Sequence, residues 1–409
     1  MKFSLTVMLA LLTLTGCSIE QRLARTSENI EDLYAKAREW EELPLRVISW
    51  NQALAMIYNN NIELKQVSST IARYEREGLS IYTDMIPGLS YYGYMTQALG
   101  DIFGPYSGSD VNTNVNMTFN LPTITNIPYR VYAARANTFA AMKTKEFKER
   151  ELISKIYKEV RSREIELKKR ALANSRPDMN EQTKMLNESS NRLADANYWK
   201  SVADVLGDYT ARWQILPESM PRVKWSVYSK KLNRLDPLTI CRFAVRLEQA
   251  RLSQYGIALQ YLPTINANLY SPSLFSSYGG TYQGSFLDGD DTNINLNISY
   301  TLDTKLSIWN SYRDRKENYE NIKHEVEASV IDHKHKLTQL RRSVSDYYSW
   351  RSYMNKRIRY IQESPVSTAD EQLLRDTSVL DMKAEMLNQE GKSVESETAL
   401  ILEYGLTEK

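Results

Sequence analysis

Two runs of the chain alternate apolar and polar residues with a period of two. In Val111–Leu121 the apolar positions Val115, Met117, Phe119 and Leu121 interleave with Asn114, Asn116, Thr118 and Asn120. In Thr292–Leu302 the apolar positions Ile294, Leu296, Ile298, Tyr300 and Leu302 interleave with Asn293, Asn295, Asn297, Ser299 and Thr301. A strand sends successive side chains to opposite faces, so each run predicts a strand with one greasy face and one uncharged polar face. A soluble sheet usually carries Lys and Glu on its wet side. Amides and hydroxyls along a whole strand are the pattern of a wall between lipid and a watery lumen. The lumen-facing candidates are Asn112, Asn114, Asn116, Thr118, Asn120, Asn293, Asn295, Asn297 and Ser299.

Elsewhere the hydrophobic period is helical. The segments that end at Ile86-Pro87 and Leu262-Pro263 are amphipathic, with Ile71, Leu79 and Ile81 in one and Val245, Leu252 and Leu259 in the other. Proline cannot continue a helix and biases its predecessor toward extended backbone. Each proline therefore predicts a passage from helix into strand, at Leu89–Thr96 and Ile265–Tyr270. Windows Gly88–Gly108 and Gly279–Gly289 hold nine of the fifteen glycines, which marks loops at Gln97–Asp110 and Ser271–Asp291.

After the alternating strands come two long charged stretches, Tyr129–Asn174 and Lys305–Gln362, about 70–85 Å each at helical rise. Apolar residues recur there at three- and four-residue spacing: Phe139, Met142, Phe147, Leu152, Ile156 and Val160, then Ile308, Tyr312, Tyr319, Ile322, Val326 and Val330. Narrow seams with charged flanks predict coiled-coil packing. Pro177 and Pro365 mark turns into returning helices, Glu181–Leu216 and Glu371–Leu402.

The order of these elements recurs. Pro87 maps onto Pro263 at an offset of 176, Leu121 onto Leu302 at 181, and Pro177 onto Pro365 at 188. The chain thus reads as one unit written twice. Residues 49–216 hold a helix, a β-hairpin at 88–121 and a helical hairpin at 129–216; residues 236–406 hold a helix, a β-hairpin at 264–302 and a helical hairpin at 305–403. A bridge, 217–235, contains Pro217, Pro221 and a short alternation over Val223–Tyr228. The predicted fold class is mainly α with membrane β.

The first residues supply an address. Lys2, an apolar stretch from Phe3 to Leu14, and then Leu14-Thr15-Gly16-Cys17 resemble a bacterial lipoprotein signal. That resemblance implies a signal peptide at 1–16, a covalent lipid on Cys17 (palmitate among its acyl chains), and a lipid-anchored segment at 17–48. Ser18 stands where an Asp would favour retention at the inner membrane, so the expected location is the outer membrane. Cys241 is the one other cysteine; no intrachain disulfide is expected, and Cys241 reads as a small buried residue. With 52 Lys+Arg against 50 Asp+Glu, charge gives no argument for nucleic acid. Beyond Cys17 no apolar run approaches the roughly 20 residues a membrane helix needs, so any crossing would use strands.

The layout resembles the TolC-type outer membrane efflux proteins over nearly the whole mature chain. The residues that carry the likeness are Asp84-Met85-Ile86-Pro87, Gln260-Tyr261-Leu262-Pro263-Thr264, Phe119-Asn120-Leu121-Pro122 and Tyr300-Thr301-Leu302, with Leu247-Glu248-Gln249-Ala250-Arg251 ahead of the second proline. The resemblance implies a homotrimer. Each protomer would give two β-hairpins to a shared barrel and its long helices to a periplasmic tunnel. It also implies a periplasmic adaptor and an inner-membrane pump as partners, besides outer membrane lipid. The tips Asn174–Asn180 and Glu363–Asp376 lack the glycine common where such proteins meet their adaptor.

Chemistry-bearing motifs are sparse. His333 and His335 are two apart on a helix, the wrong spacing for paired ligands, and with His324 they read as solvated histidines. No phosphate-binding glycine loop and no Gly-x-Ser-x-Gly elbow occurs, so neither an enzyme nor a cofactor is expected. The 27 tyrosines include Tyr91, Tyr92, Tyr94, Tyr270, Tyr278, Tyr282 and Tyr300 near the strands, where interfacial girdles and plain β propensity explain them equally. The functional expectation is a passive conduit in a tripartite efflux or type I secretion system. The alternative is a lipid-anchored periplasmic coiled-coil protein that conducts nothing.

Overall fold

The computed structural model describes residues 22–32, 34, 42–83, 88–96, 110–120, 126–175, 181–232, 234–259, 264–271, 276–278, 281–283, 293–299 and 306–406. The expected signal segment, Cys17, Pro87, Pro122, Pro177 and Pro263, the predicted loop at 97–109, and Leu121, Tyr300 and Leu302 lie outside them. From the N-terminus the elements are β1 (Leu45–Ile48), α1 (Trp50–Asn60), α2 (Ile62–Thr83), β2 (Gly88–Thr96), β3 (Asp110–Asn120), α3 (Ile127–Asn174), α4 (Glu181–Leu206) and β4 (Arg212–Ile215). They continue with α5 (Trp225–Lys231), α6 (Pro237–Ala258), β5 (Thr264–Ser271), β6 (Ser276–Tyr278), β7 (Thr281–Gln283), β8 (Asn293–Ser299), α7 (Ser307–Glu363) and α8 (Ala369–Tyr404). The described residues form two compact units, one within 1–60 and 173–220, the other within 61–172 and 221–409.

In the first unit β1 pairs in parallel with β4, Leu45 opposite Arg212 and Ile48 opposite Ile215. Neither strand was anticipated from the sequence. Trp50, Ala53 and Ile57, at helical spacing on α1, are buried, as are Val202, Ala203 and Leu206 of the adjoining α4. The Trp50 backbone N–H donates to Ser219 Oγ at 2.8 Å. The returning helix expected to reach Leu216 stops at Leu206. Gly207 takes φ +68°, and both Gly207 N and Asp208 N donate to Ala203 O, at 2.8 and 3.2 Å. A left-handed residue closing both bonds ends a helix, and glycine alone adopts it without a Cβ penalty. The four residues of β4 then fit between this stop and Pro217.

In the second unit α7 packs on α6 and on α8. The α7–α8 pair is antiparallel: Ser343 Oγ lies 3.1 Å from Ser396 Oγ, and His333 Nε2 2.7 Å from Glu403 Oε1. Their turn is built without glycine. Ser364 is extended (φ −67°, ψ 134°), as a residue before proline prefers, and Thr368 and Glu371 form a reciprocal capping box that starts α8. The core here gathers Tyr228 and Leu232, Leu337 and Val344 of α7, and Leu400 and Tyr404 of α8. Residues 225–231 are helical despite the alternation of Val223, Trp225 and Val227. Tyr228 and Leu232, four apart, bring one helical face to that core, and burial outweighs the local pattern.

The seams are covered unevenly within one chain. On α3, Leu152, Ile156 and Val160 are buried whereas Phe139 and Met142 are exposed. On α7, Val326 is buried, and Ile308, Tyr312, Tyr319, Ile322 and Val330 are half-buried. Cys241 is half-buried on α6 and is a free thiol, less enclosed than the sequence implied.

The strands of the second unit make one four-stranded antiparallel sheet in the order β2-β3-β5-β8, and β6 pairs with β7 in a separate hairpin.

Candidate functional site

The sheet register gathers the nine candidates. Asn112, Asn114, Asn116 and Thr118 of β3 stand opposite Tyr94, Tyr92, Ser90 and Gly88 of β2. On the other side of β3, Asn116, Thr118 and Asn120 stand opposite Tyr270, Asn268 and Asn266 of β5. Those β5 residues stand in turn opposite Asn293, Asn295 and Asn297 of β8, and Thr264 opposite Ser299. Directly paired residues share a face and alternate residues along a strand share it too. All nine candidates therefore occupy a single face of the sheet, although they come from strands far apart in the chain.

The register also adds residues that sequence reasoning left out: Asn266 and Asn268, Ser90 and Thr264, and the tyrosines Tyr92, Tyr94 and Tyr270. The signal for β5 was present in the sequence as Ile265-Asn266-Ala267-Asn268-Leu269-Tyr270. Among the described strand positions this face has one charged residue, Asp110, in the end row opposite Thr96. The opposite face takes Leu89, Tyr91, Met95, Val111, Val115, Met117 and Phe119, with Ile265, Ala267 and Leu269 in the next strand and Ile294, Leu296 and Ile298 in the last; Gly93, Thr113 and Ser271 share this mostly apolar face. Of the tyrosines near the strands, Tyr92, Tyr94 and Tyr270 fall on the polar face and Tyr91 on the opposite one.

Among the long helices a second set of polar residues converges. Arg161 of α3, whose side chain is 7% exposed, donates to Glu164 at 2.7 Å and to Glu390 of α8 at 2.9 Å. Glu164 also accepts from Lys168 and Arg222, both at 2.7 Å. Tyr157 Oη donates to Glu397 at 2.8 Å. These groups line a cleft of about 260 Å³. Burial pushes the Glu164 carboxyl up, but hydrogen bonds from Lys168, Arg161 and Arg222 outweigh it and hold the group at about 2. Burial wins at Glu397, whose carboxyl is raised above the ordinary carboxylate value against the pull of Tyr157 and Arg161. Arg161 was not anticipated. It occupies a seam position, four residues after Tyr157 and four before the buried Ile165, where an apolar residue would be the default.

A third polar junction ties four helices together. Arg150 of α3 donates to Asp236 at 2.7 Å and to Glu403 O at 2.6 Å. Asp236 caps α6 by accepting from Leu238 N at 3.0 Å. Glu403 Oε1 accepts from Thr239 Oγ1 at 3.0 Å and lies 2.7 Å from His333 Nε2. His333 is thus half-buried and partnered rather than solvated, while His324 and His335 are exposed. Among the described residues no cluster of three His, Cys, Asp or Glu is placed to hold a metal ion, and no helix is long and apolar enough to cross a membrane.

No protein-family model matches the sequence, and no curated protein matches it. Solved structures do. The open-state MtrE outer membrane channel of Neisseria gonorrhoeae is similar with a TM-score of 0.60 and 15% identity, over 87% of this chain and 89% of that one. The CmeC outer membrane channel of Campylobacter jejuni gives 0.57 and 14%, over 87% and 85%. The outer membrane protein VceC of Vibrio cholerae gives 0.55 and 14%, over 87% and 95%. The chain therefore has the fold of the outer membrane channels, the one its TolC-type sequence resemblance implied.

Proposed function

We propose that this protein is a TolC-type outer membrane channel: a homotrimer, lipid-anchored through Cys17, that gives solutes a passive path from periplasm to exterior. The observation that supports this reading is the register of the four-stranded sheet. It collects Asn112, Asn114, Asn116, Thr118, Asn120, Asn293, Asn295, Asn297 and Ser299 on one face and an apolar set on the other. The polar face is the lumen wall and the apolar face meets lipid.

The sheet ends in two edge strands, β2 and β8. In hydrocarbon an open edge leaves backbone groups unsatisfied at several kcal/mol each, so a lone protomer is unsuited to a membrane. Copies joined edge to edge, β8 of one against β2 of the next, close a barrel and remove the edges. Three copies of four strands make twelve, enough to enclose a channel. The long helices stand in the periplasm. There they meet an adaptor and an energised inner-membrane pump of a tripartite efflux or type I secretion system. The protein itself catalyses nothing and needs no cofactor beyond its lipid.

The experiment is fractionation of the Cys17→Ser variant carrying a cleavable signal. A barrel protein stays with outer membranes and leaves them only in detergent. Release into the soluble periplasmic fraction would instead make it a coiled-coil protein held by its lipid alone.

A further inference from the structure

The polar face is not uniform along its strands. The rows next to the helical ends of the strands are Thr118–Asn268–Asn295 and Asn120–Asn266–Asn297, small amides and hydroxyls throughout. The rows toward the other ends are Tyr94–Asn112, Tyr92–Asn114 and Asn116–Tyr270–Asn293. Three tyrosines are thus concentrated in one half of the face, each directly opposite an asparagine. Asn114 is opposite Tyr92 and diagonal to Tyr270, separations of about 5 and about 7–8 Å in an antiparallel sheet. Tyr92 and Tyr94, two apart on one strand, are about 7 Å apart.

This composition has a ligand chemistry. Phenol rings attract the faces of planar aromatic molecules and the positive edge of aromatic cations, while amides between them hydrogen-bond ring nitrogens and carbonyls. No formal charge in these rows repels either sign. We propose that Tyr92, Tyr94 and Tyr270, with Asn112, Asn114 and Asn116, form a weak binding station for planar aromatic solutes in transit. The proposal rests on reading the polar face as a lumen wall.

The test uses the purified full chain in planar lipid bilayers, in a Cys241→Ser background, with two probes of equal charge: ethidium, which is planar and aromatic, and tetrapropylammonium, which is not. Ethidium should interrupt the current with dwell times about three- to tenfold longer. Tyr92→Leu combined with Tyr270→Leu should remove that ratio. Tyr92→Phe with Tyr270→Phe, which keeps both rings, should preserve it, and so should Tyr91→Leu on the other face. Equal dwell times for the two probes in the unmodified protein, or a ratio that survives both Leu substitutions, overturns the station.

A parallel arm distinguishes that failure from failure of the lumen reading. A water-soluble thiol reagent added to Asn116→Cys must lower the conductance. If it does so while the probes behave alike, the station alone is wrong; if conductance is untouched, the lumen reading falls and the station falls with it.

Discussion

Arg161 of α3 reaches Glu390 of α8 at 2.9 Å, joining residues 229 apart in the chain, while it holds Glu164 of its own helix at 2.7 Å. A guanidinium buried among three carboxylates, Glu164, Glu390 and Glu397, cannot be deleted without leaving charge unpaired in a poorly solvated place. Arg161→Met should therefore destabilise the second unit by about 2–4 kcal/mol, read as a lower midpoint of thermal unfolding in detergent. Adding Glu390→Gln should return part of the loss, since the coupling belongs to the pair. Additive losses would mean that the two groups do not sense each other.

Glu164 and Glu397 predict opposite pH responses. Three cations hold the Glu164 carboxyl at about 2, below its value in an unfolded chain. Its contribution to stability is present above pH of about 4.5 and is lost as pH falls from there toward 2. Glu397 is raised by burial, so it favours the folded state at low pH, and that contribution is lost as pH rises through its folded value. Glu164→Gln should thus lower the unfolding midpoint at pH 7 and flatten the acid limb of the stability curve. Glu397→Gln, which can still accept from Tyr157, should cost little at pH 7. The reverse ordering at neutral pH would contradict this assignment of charge.

Gly256 makes room for a ring. A Cβ built there would lie 2.5 Å from Tyr129 Oη, a hydroxyl already committed to Leu252 O at 2.6 Å. Gly256→Ala should destabilise the junction of α6 with the start of α3 by about 1–3 kcal/mol despite alanine's better helix propensity. Combined with Tyr129→Leu, which vacates the space, the alanine should become neutral or favourable. An Ala substitution that stabilises the unmodified chain would show that the Tyr129 ring does not fill the space at Gly256.

The sparse charge of the polar face sets an expectation for ions. With no cationic residue on that face among the described strand positions, and Asp110 in its end row, the current through the strand-lined section should discriminate only weakly by sign. Asn116→Asp should shift the reversal potential in a KCl gradient toward cation selectivity, and Asn116→Lys toward anion selectivity. The same two changes at Met117, on the other face, should impair membrane insertion instead.

Much of this arrangement was legible in the sequence because period-two alternation is a local signal. Asn114-Val115-Asn116-Met117 announces a strand and its two faces without reference to the rest of the chain. What alternation cannot supply is the pairing of β3 with β5, which joins Asn116 to Tyr270 across a long helical excursion and depends on tertiary context. For that reason the sequence explains Tyr92 and Tyr270 equally by girdle and by β propensity, whereas the register sets them opposite asparagines. The four-residue strands β1 and β4 are too short to show a period, and Gly207 looked like one more residue of a helix rather than its end. Arg161 and His333 hid for the opposite reason. Charged residues in charged helices read as solvated, and only packing against α8 reveals that Glu390 and Glu403 have taken them in.

Whether the Asn-bearing face lines a water-filled passage is decided by single cysteines at Asn116 and Met117 in a Cys241→Ser background. Intact cells are treated with a membrane-impermeant thiol reagent. A lumen-facing Asn116 gives rapid labelling at Asn116→Cys and little or none at Met117→Cys. Equal labelling of the two, or labelling of Met117→Cys alone, would contradict it.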